Sequence, residues 1–265
     1  QGGLAVNRHD GDLAVERVAT YGTVTVTIGN SHHIGCLAVY LTRATDRGYM
    51  VLLASSSPSG SSVAPFGGTR GVFTPNPIAA GIPTGGDPIL IDVSASITTN
   101  NMSSRLVAEG RKFEHQWLLD RDGNPTNDPN VRNDGGTILP AGGLDHGQKG
   151  YALGLLVEAL TQGLAGFGRV DRPVGTNAVV FLQVIDPSAF AGEAAFVRQT
   201  GWLADACHNN PPRPGVERVR LPGEQAAGRR RRAIAEGVVL HDGLFDKLKV
   251  EAERLGVGMT ASLGA

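Results

Sequence analysis

Four short apolar runs, each cut off by glycine, proline or aspartate, constrain this chain more than any other feature. "TVTVTI" (23–28) alternates threonine with Val24, Val26 and Ile28, the period of a strand with one apolar face. "MVLLA" (50–54), "ILIDV" (89–93) and "VVFLQVI" (179–185) are too short for buried helices and read as buried strands. Helical signals stand between and after them. Leu37, Val39, Tyr40, Leu41 and Ala44 fit a short helix. Lys149 to Leu164 is the longest helical signal, with Leu153, Leu156, Val157, Leu160 and Leu164 as the expected buried stripe. Its opposite face is also apolar, which places it between layers. Leu244 to Leu255 reads as a surface helix, charged opposite Leu244, Leu248, Ala252 and Leu255. This order predicts an α/β domain: a layered arrangement in which helices flank a largely buried, mixed β-sheet.

Composition narrows the function classes. With 24 basic and 25 acidic residues the formal charge is −1, so no overall field draws nucleic acid or an anionic membrane. The run Arg229 to Arg232 sits where Ala226, Ala227, Ala233 and Glu236 suggest a helix; with no interleaved aromatics it reads as a solvated face. Cys36 and Cys207 lie far apart without C-x-x-C spacing, which argues against a disulfide framework or a zinc site and for a reducing, cytoplasmic setting. No apolar run approaches the ~18 residues of a membrane span, and the opening "QGGLAVNRHDGD" has neither the basic start nor the apolar core of a leader.

The dinucleotide fingerprint G-x-G-x-x-G does not occur after a strand; "GLAGFG" (163–168) has its glycines in another order and closes a helix. There is no P-loop and no H-E-x-x-H. "DRDGN" (120–124) opens like a calcium loop, but the twelfth position is Val131, so a hairpin turn is the better reading. Asp145 and His146 in "LDHGQKG" are adjacent and lack a G-x-S-x-G elbow, so no hydrolase triad is implied. That leaves "GNSHHIG" (29–35). Rings on adjacent residues diverge, so His32 and His33 do not chelate one ion easily, and no metal site is expected. A single imidazole at a helix entry can exchange a proton with a carbonyl or hydroxyl. From the pattern alone, a polar turn histidine serves equally well.

Other segments recur in a fixed order. "VAPFGG" (63–68), "FTPNPIAAGIP" (73–83), "ILIDVSAS" (89–96), "LLDRDGNPTNDP" (118–129), "ILPAGGLDHGQKGYALGLLVEAL" (138–160) and "LPGE" (221–224), together with "NSHHIG", resemble the malate/L-lactate dehydrogenase family of the non-Rossmann type. That family includes ureidoglycolate, sulfolactate and diketogulonate dehydrogenases and reductases of cyclic imino acids. The resemblance runs from about residue 20 onward. It implies an enzyme that uses NAD or NADP to interconvert small 2-hydroxy and 2-oxo acids, malate- or lactate-like, and works as a homodimer.

Carried over residue by residue, the family's S-x-H-x-G motif gives His33 the role of proton donor and acceptor, with His32 at the variable position. The resemblance implies cofactor contacts at Ser57, at Asp92 and Val93 in "IDVSAS", at Ala141 and Gly142 in "LPAGG", and at Pro222, Gly223 and Glu224 in "PGE", while Lys149, just before the long helix, carries a charge that would offset cofactor phosphate. Simpler readings stand beside three of these: a strand-ending turn carboxylate for Asp92, a solvated helix-entry lysine for Lys149, a helix-start carboxylate for Glu224. The chain departs from the family in two places. The family's T-N-P is Pro75-Asn76-Pro77 here, and a serine-rich "SSSPSGSS" (55–62) precedes "VAPFGG". In addition, the family's N-terminal helical segment with its S-H-G motif does not precede Gln1. Residues 1–265 therefore read as one nucleotide-binding and catalytic domain lacking that segment, and a catalytically impaired dimeric binding or structural module is the alternative function.

Overall fold

The Thr/Val alternation after Gly22 forms a strand, as its period predicts, in a computed structural model that describes residues 3–240 and 243–259. Gln1 and Gly2, where the reading of the N-terminus starts, lie outside the described residues. Helix α1 (Gly3–Tyr21) leads into β1 (Thr23–Ser31), α2 (Ala38–Thr45), β2 (Met50–Ser56), β3 (Pro77–Ile82), β4 (Ile89–Ser94) and α3 (Asn100–Ala108). Three short strands follow, β5 (Leu118–Leu119), β6 (Pro125–Thr126) and β7 (Thr137–Ile138), then α4 (Gly143–Glu158) with a π-type turn over Ala159–Gly163. β8 (Ala178–Ile185), α5 (Glu193–His208), α6 (Glu224–Glu236) and α7 (Leu244–Leu255) complete the order. Two compact units result, the first running to Pro222 and the second, from Gly223, containing α6 and α7. No helix among the described residues is long and apolar enough to cross a membrane.

The α/β class holds, with one difference in pairing. The main sheet has the order β1-β8-β2-β3-β4, and each neighbouring pair is antiparallel. β1 and β2 do run parallel to each other, as a strand-helix-strand unit would have them. However, β8 inserts between them and pairs antiparallel with both: Leu182 faces Val26 on one side and Leu53 on the other. The order of elements predicts a mixed sheet; β8, more than 120 residues beyond β2, inserts between β1 and β2 and leaves every neighbouring pair antiparallel.

Side-chain alternation divides the core between the sheet's two faces. Val51, Leu53, Val180, Leu182 and Val184 pack with Ala14, Val15 and Val18 of α1 and with Leu37, Leu41 and Ala44 around α2. Ala54 and Phe181, one residue out of phase, pack on the opposite face with Val157 of α4. At roughly 1.5–3 kcal/mol for each fully buried aliphatic side chain, these layers are the main favourable term. A separate cluster of Val63, Phe73, Leu106, Phe113, Leu118 and Ile138 sits under α3 and the small β6-β5-β7 sheet.

The long helix differs from its sequence reading. It starts at Gly143, and its buried positions are Gly143, Gly147, Gly150, Gly154 and Val157. Leu156 and Leu164 of the expected stripe are 50% and 60% exposed, while Leu153 and Leu160 are half-buried. Glycine explains the reversal: a Cβ on Gly150 would stand 2.6 Å from Ala141 O, closer than real contacts allow. The helix therefore lies backbone-close on the 95 and 141 segments, and Leu155 and Leu156 are turned outward.

Candidate active site

The antiparallel register gathers one end of the main sheet. Ser31, which ends β1, faces Ala178 at the start of β8; Val179, the next residue, faces Ser56 at the end of β2; Pro77, opening β3, faces Ser94 at the end of β4. Ala141 N–H donates to Ala95 O at 2.8 Å, which brings the "LPAGG" turn to the same end. The segments that carry His33, Ser57, Val93, Ala141 and Gly142 thus leave or meet the sheet along one edge.

Residues 32–37 cross that edge. They start from β1, the outermost strand on one side, and reach α2, whose first N–H (Ala38) donates to Asp92 Oδ2 on β4, the outermost strand on the other. Four inter-strand gaps amount to about 19 Å, and seven residue steps extend to at most about 25 Å. The segment is long enough to make the crossing and turns locally on the way, with Gly35 at φ 74° and Leu37 already helical. His33 is exposed within it, and its Nδ1 accepts the backbone N–H of Gly35 at 3.1 Å. With Nδ1 an acceptor, the neutral ring carries its proton on Nε2, which makes Nε2–H the available donor. The exposed His32 ring has no hydrogen-bond partner among the described residues.

Asp92 combines two readings. Its Oδ2 accepts from Ala38 N at 2.9 Å and from Cys36 Sγ at 3.2 Å, a helix-start role, while Oδ1 has no partner among the described residues. Partial burial, followed by the Asp92 bond, pushes the Cys36 thiol above its ordinary value. Val93 is 49% exposed beside it. Ser57, half-buried just beyond β2, donates its hydroxyl to Asn177 O at 2.8 Å and its N–H to Thr74 Oγ1 at 3.3 Å. Gly142 takes a left-handed conformation (φ 101°) that glycine tolerates, and Lys149 is exposed on α4. Pro222 O accepts Leu90 N–H at 3.1 Å on the outer side of β4, four residues before Ser94. Gly223 and Glu224 open α6 in the second unit, Gly223 as its left-handed cap residue.

The reading of residues 120–124 as a hairpin turn holds: Leu118 pairs with Thr126, and Asp120 Oδ1 accepts the N–H groups of Asp122 and Asn124. No group of three metal-ligating side chains occurs among the described residues. A 30 Å³ cavity lined by Val15, Ile28, Ile34, Val51 and Leu182 lies inside the apolar core and is far too small for a dinucleotide.

Sequence reasoning missed three polar residues near this edge. Asn76 is fully buried with φ 47°; its Nδ2 donates to Gly154 O at 3.1 Å and to Glu158 Oε1 at 2.9 Å. Glu158 in turn holds Arg169 through two bonds, Nη2 to Oε1 at 2.8 Å and Nε to Oε2 at 3.1 Å. The Pro75-Asn76-Pro77 triplet was the one visible signal.

The donor set fits a nicotinamide dinucleotide: an exposed carboxylate oxygen, an exposed ammonium, a serine and an open apolar residue along one edge, with the buried Asn177 Oδ1 unpartnered beside Ser57.

Comparison with known proteins gives the family. The family model described as malate/L-lactate dehydrogenase matches residues 2–249. An L-lactate dehydrogenase of Cupriavidus necator is 32% identical over 93% of this chain and 72% of its own length. A Delta(1)-pyrroline-2-carboxylate/Delta(1)-piperideine-2-carboxylate reductase of Pseudomonas syringae pv. tomato is 32% identical over 89% of this chain and 68% of its own. In fold, malate dehydrogenase from Entamoeba histolytica superposes with a TM-score of 0.87 at 22% identity, covering 98% of this chain and 76% of that one. The chain is thus an oxidoreductase of the 2-hydroxy acid dehydrogenase and reductase class. More particularly, it belongs to the malate/L-lactate dehydrogenase family.

Proposed function

We propose that this protein transfers a hydride between a nicotinamide cofactor, NAD or NADP, and a small 2-hydroxy or 2-oxo acid, with His33 exchanging the proton. The observation that carries the reading is the His33 ring: exposed at the gathered sheet edge, with Nδ1 taken by Gly35 and Nε2 left for a substrate oxygen. The bound nicotinamide supplies the hydride chemistry. His33 supplies an N–H donor to the 2-oxo oxygen during reduction and, in its cationic form, the proton itself. Taking a proton from a 2-hydroxyl needs the opposite tautomer, so the ring gives up its Gly35 bond at a cost of about 1 kcal/mol. Ser57, Asp92, Val93, Ala141, Gly142 and Lys149 hold the cofactor along the same edge, and Pro222 lies on the outer side of β4.

A homodimer belongs to the same reading. It is supported by the outward leucines of α4 and of the segment after its π-type turn, where Leu155, Leu156 and Leu164 are 49–60% exposed.

The test is the absorbance of NADH and of NADPH at 340 nm with oxaloacetate, pyruvate and a cyclic imino acid in turn. Oxidation of either cofactor with one of these supports the reading. Failure of all six pairings, with no cofactor binding by fluorescence, would return the chain to the class of non-catalytic binding modules.

A further inference from the structure

The turn after β2 is built from an unusual direction. Ser57, Pro58, Ser59 and Gly60 close on themselves through Gly60 N–H to Ser57 O at 3.2 Å. The Arg169 guanidinium, from 109 residues further along the chain, donates Nη1 to the carbonyls of both Pro58 and Gly60. Its Nε and Nη2 are held by Glu158, and its backbone N–H donates to Gln162 Oε1 at 2.9 Å. Gln162 reaches back to Ser56 Oγ at 2.9 Å, so the turn is gripped at both ends by the π-type turn and the segment after it. A second path runs from Ser57 N–H to Thr74 Oγ1, to Asn76 Oδ1, and from Asn76 Nδ2 to Glu158.

Peptide planarity gives this grip a consequence. In a trans peptide the carbonyl and the following N–H point in opposite directions. Drawing the Pro58 and Gly60 carbonyls toward Arg169 therefore turns the N–H groups of Ser59 and Ser61 away from it. Both residues are exposed, and neither N–H has an acceptor among the described residues. Because Glu158 neutralises the guanidinium, the pair orients peptides without adding a net charge. With side chains only 19% and 23% exposed, it is also little screened by salt.

We propose that Glu158 and Arg169 are positioning residues for cofactor binding: they fix the Ser57–Gly60 turn so that the Ser59 and Ser61 N–H groups face acceptor oxygens of the nucleotide. This rests on the reading of Ser57 as a cofactor-contacting position. Neither Glu158 nor Arg169 touches a reacting atom. A lysine at 169 keeps the charge but cannot hold two carbonyls and a carboxylate together.

The experiment compares Arg169→Lys, Glu158→Gln and Ser57→Ala with wild type. NADH and NADPH dissociation constants come from fluorescence titration, KM and kcat from steady-state assays, and folding from thermal melts. Arg169→Lys is expected to weaken binding of the preferred cofactor about tenfold, with kcat at saturating cofactor and the KM for the oxo acid within about twofold of wild type. Glu158→Gln, which still offers Arg169 one acceptor, should fall between. An Arg169→Lys protein that is folded and binds within twofold of wild type overturns the inference, as does a loss accounted for by unfolded protein alone. If Ser57→Ala weakens binding and Arg169→Lys does not, only this inference falls. If both bind as wild type does, the placement of the cofactor at this turn falls with it.

Discussion

Asp92 on β4 accepts the backbone N–H of Ala38 through Oδ2 at 2.9 Å, and the same oxygen takes the Cys36 thiol at 3.2 Å. One carboxylate therefore anchors the far end of the segment that carries His33. A strand residue, not a residue of the loop itself, sets where α2 begins.

Removing that anchor should have a measurable cost. Asp92→Ala loses a helix-start acceptor worth about 1 kcal/mol, which corresponds to a melting temperature lower by roughly 2–4 °C, and turnover should fall with it. Asp92→Asn keeps an oxygen for Ala38 and should melt with wild type. Three identical melting curves would show that the contact holds nothing.

His33→Ala should lower turnover by roughly 10²–10⁴, the usual range for a lost general acid or base, with no change in the melting temperature. His32→Ala, at an exposed ring without a partner, should be mild. Equal losses from the two substitutions would contradict the assignment of the proton to His33.

Cys36 is exposed, yet its thiol is held above the ordinary range by partial burial and by Asp92. Since the thiolate is the reactive form, iodoacetamide should modify it slowly at pH 8. Asp92→Asn removes the neighbouring negative charge and should speed the reaction. Peptide mass spectrometry of a time course measures both, and a slower reaction in the variant would refute the cause given.

The buried glycines of α4 should form a graded series. Gly150→Ala collides with Ala141 and Ala95 backbone atoms that cannot yield, whereas Gly154→Ala meets Phe73 Cε2 at 3.0 Å. Overpacking of this kind costs about 1–3 kcal/mol, and Gly150 should lie at or beyond the upper end. Gly228→Ala in α6 meets nothing within 4 Å and should gain up to about 1 kcal/mol of helix propensity. Denaturant melts rank the three.

Asp128 starts a 3-10 turn, accepting Asn130 N–H at 2.9 Å, and that bond, with Lys112 a lesser cause, holds its carboxyl below the ordinary range. A depressed carboxyl contributes stability above its unfolded value and loses it as the pH falls through its folded value. The melting-temperature gap between wild type and Asp128→Ala should be full at pH 6 and close below about pH 4. A gap that widens in acid would reverse the sign.

Local signals made much of this legible. β1, β2, β4 and β8 were readable because β-branched residues alternate or cluster between breakers, and α7 because its stripe is carried by leucines. The buried face of α4 was not, since hydrophobic periodicity weighs side chains and glycine has none. α5 offered no buried stripe to find: only Ala204 is buried, and Trp202 is 67% exposed. The insertion of β8 between β1 and β2 is a long-range pairing that no window of sequence contains. At the candidate site, "NSHHIG" gave His33 directly. Glu158 and Arg169 face each other only because the π-type turn and the following segment bring them round, and Asn76 acquires its partners only when α4 lies against it.

The segment that carries His33 is tied at both ends, to β8 through Ser31 and to β4 through Asp92, so the imidazole is placed by its moorings more than by its immediate neighbours in the chain. Exchange of His32 for another residue leaves both moorings in place, whereas an inserted or deleted residue between them has to be absorbed by the turn at Gly35 and shifts the imidazole along the sheet end.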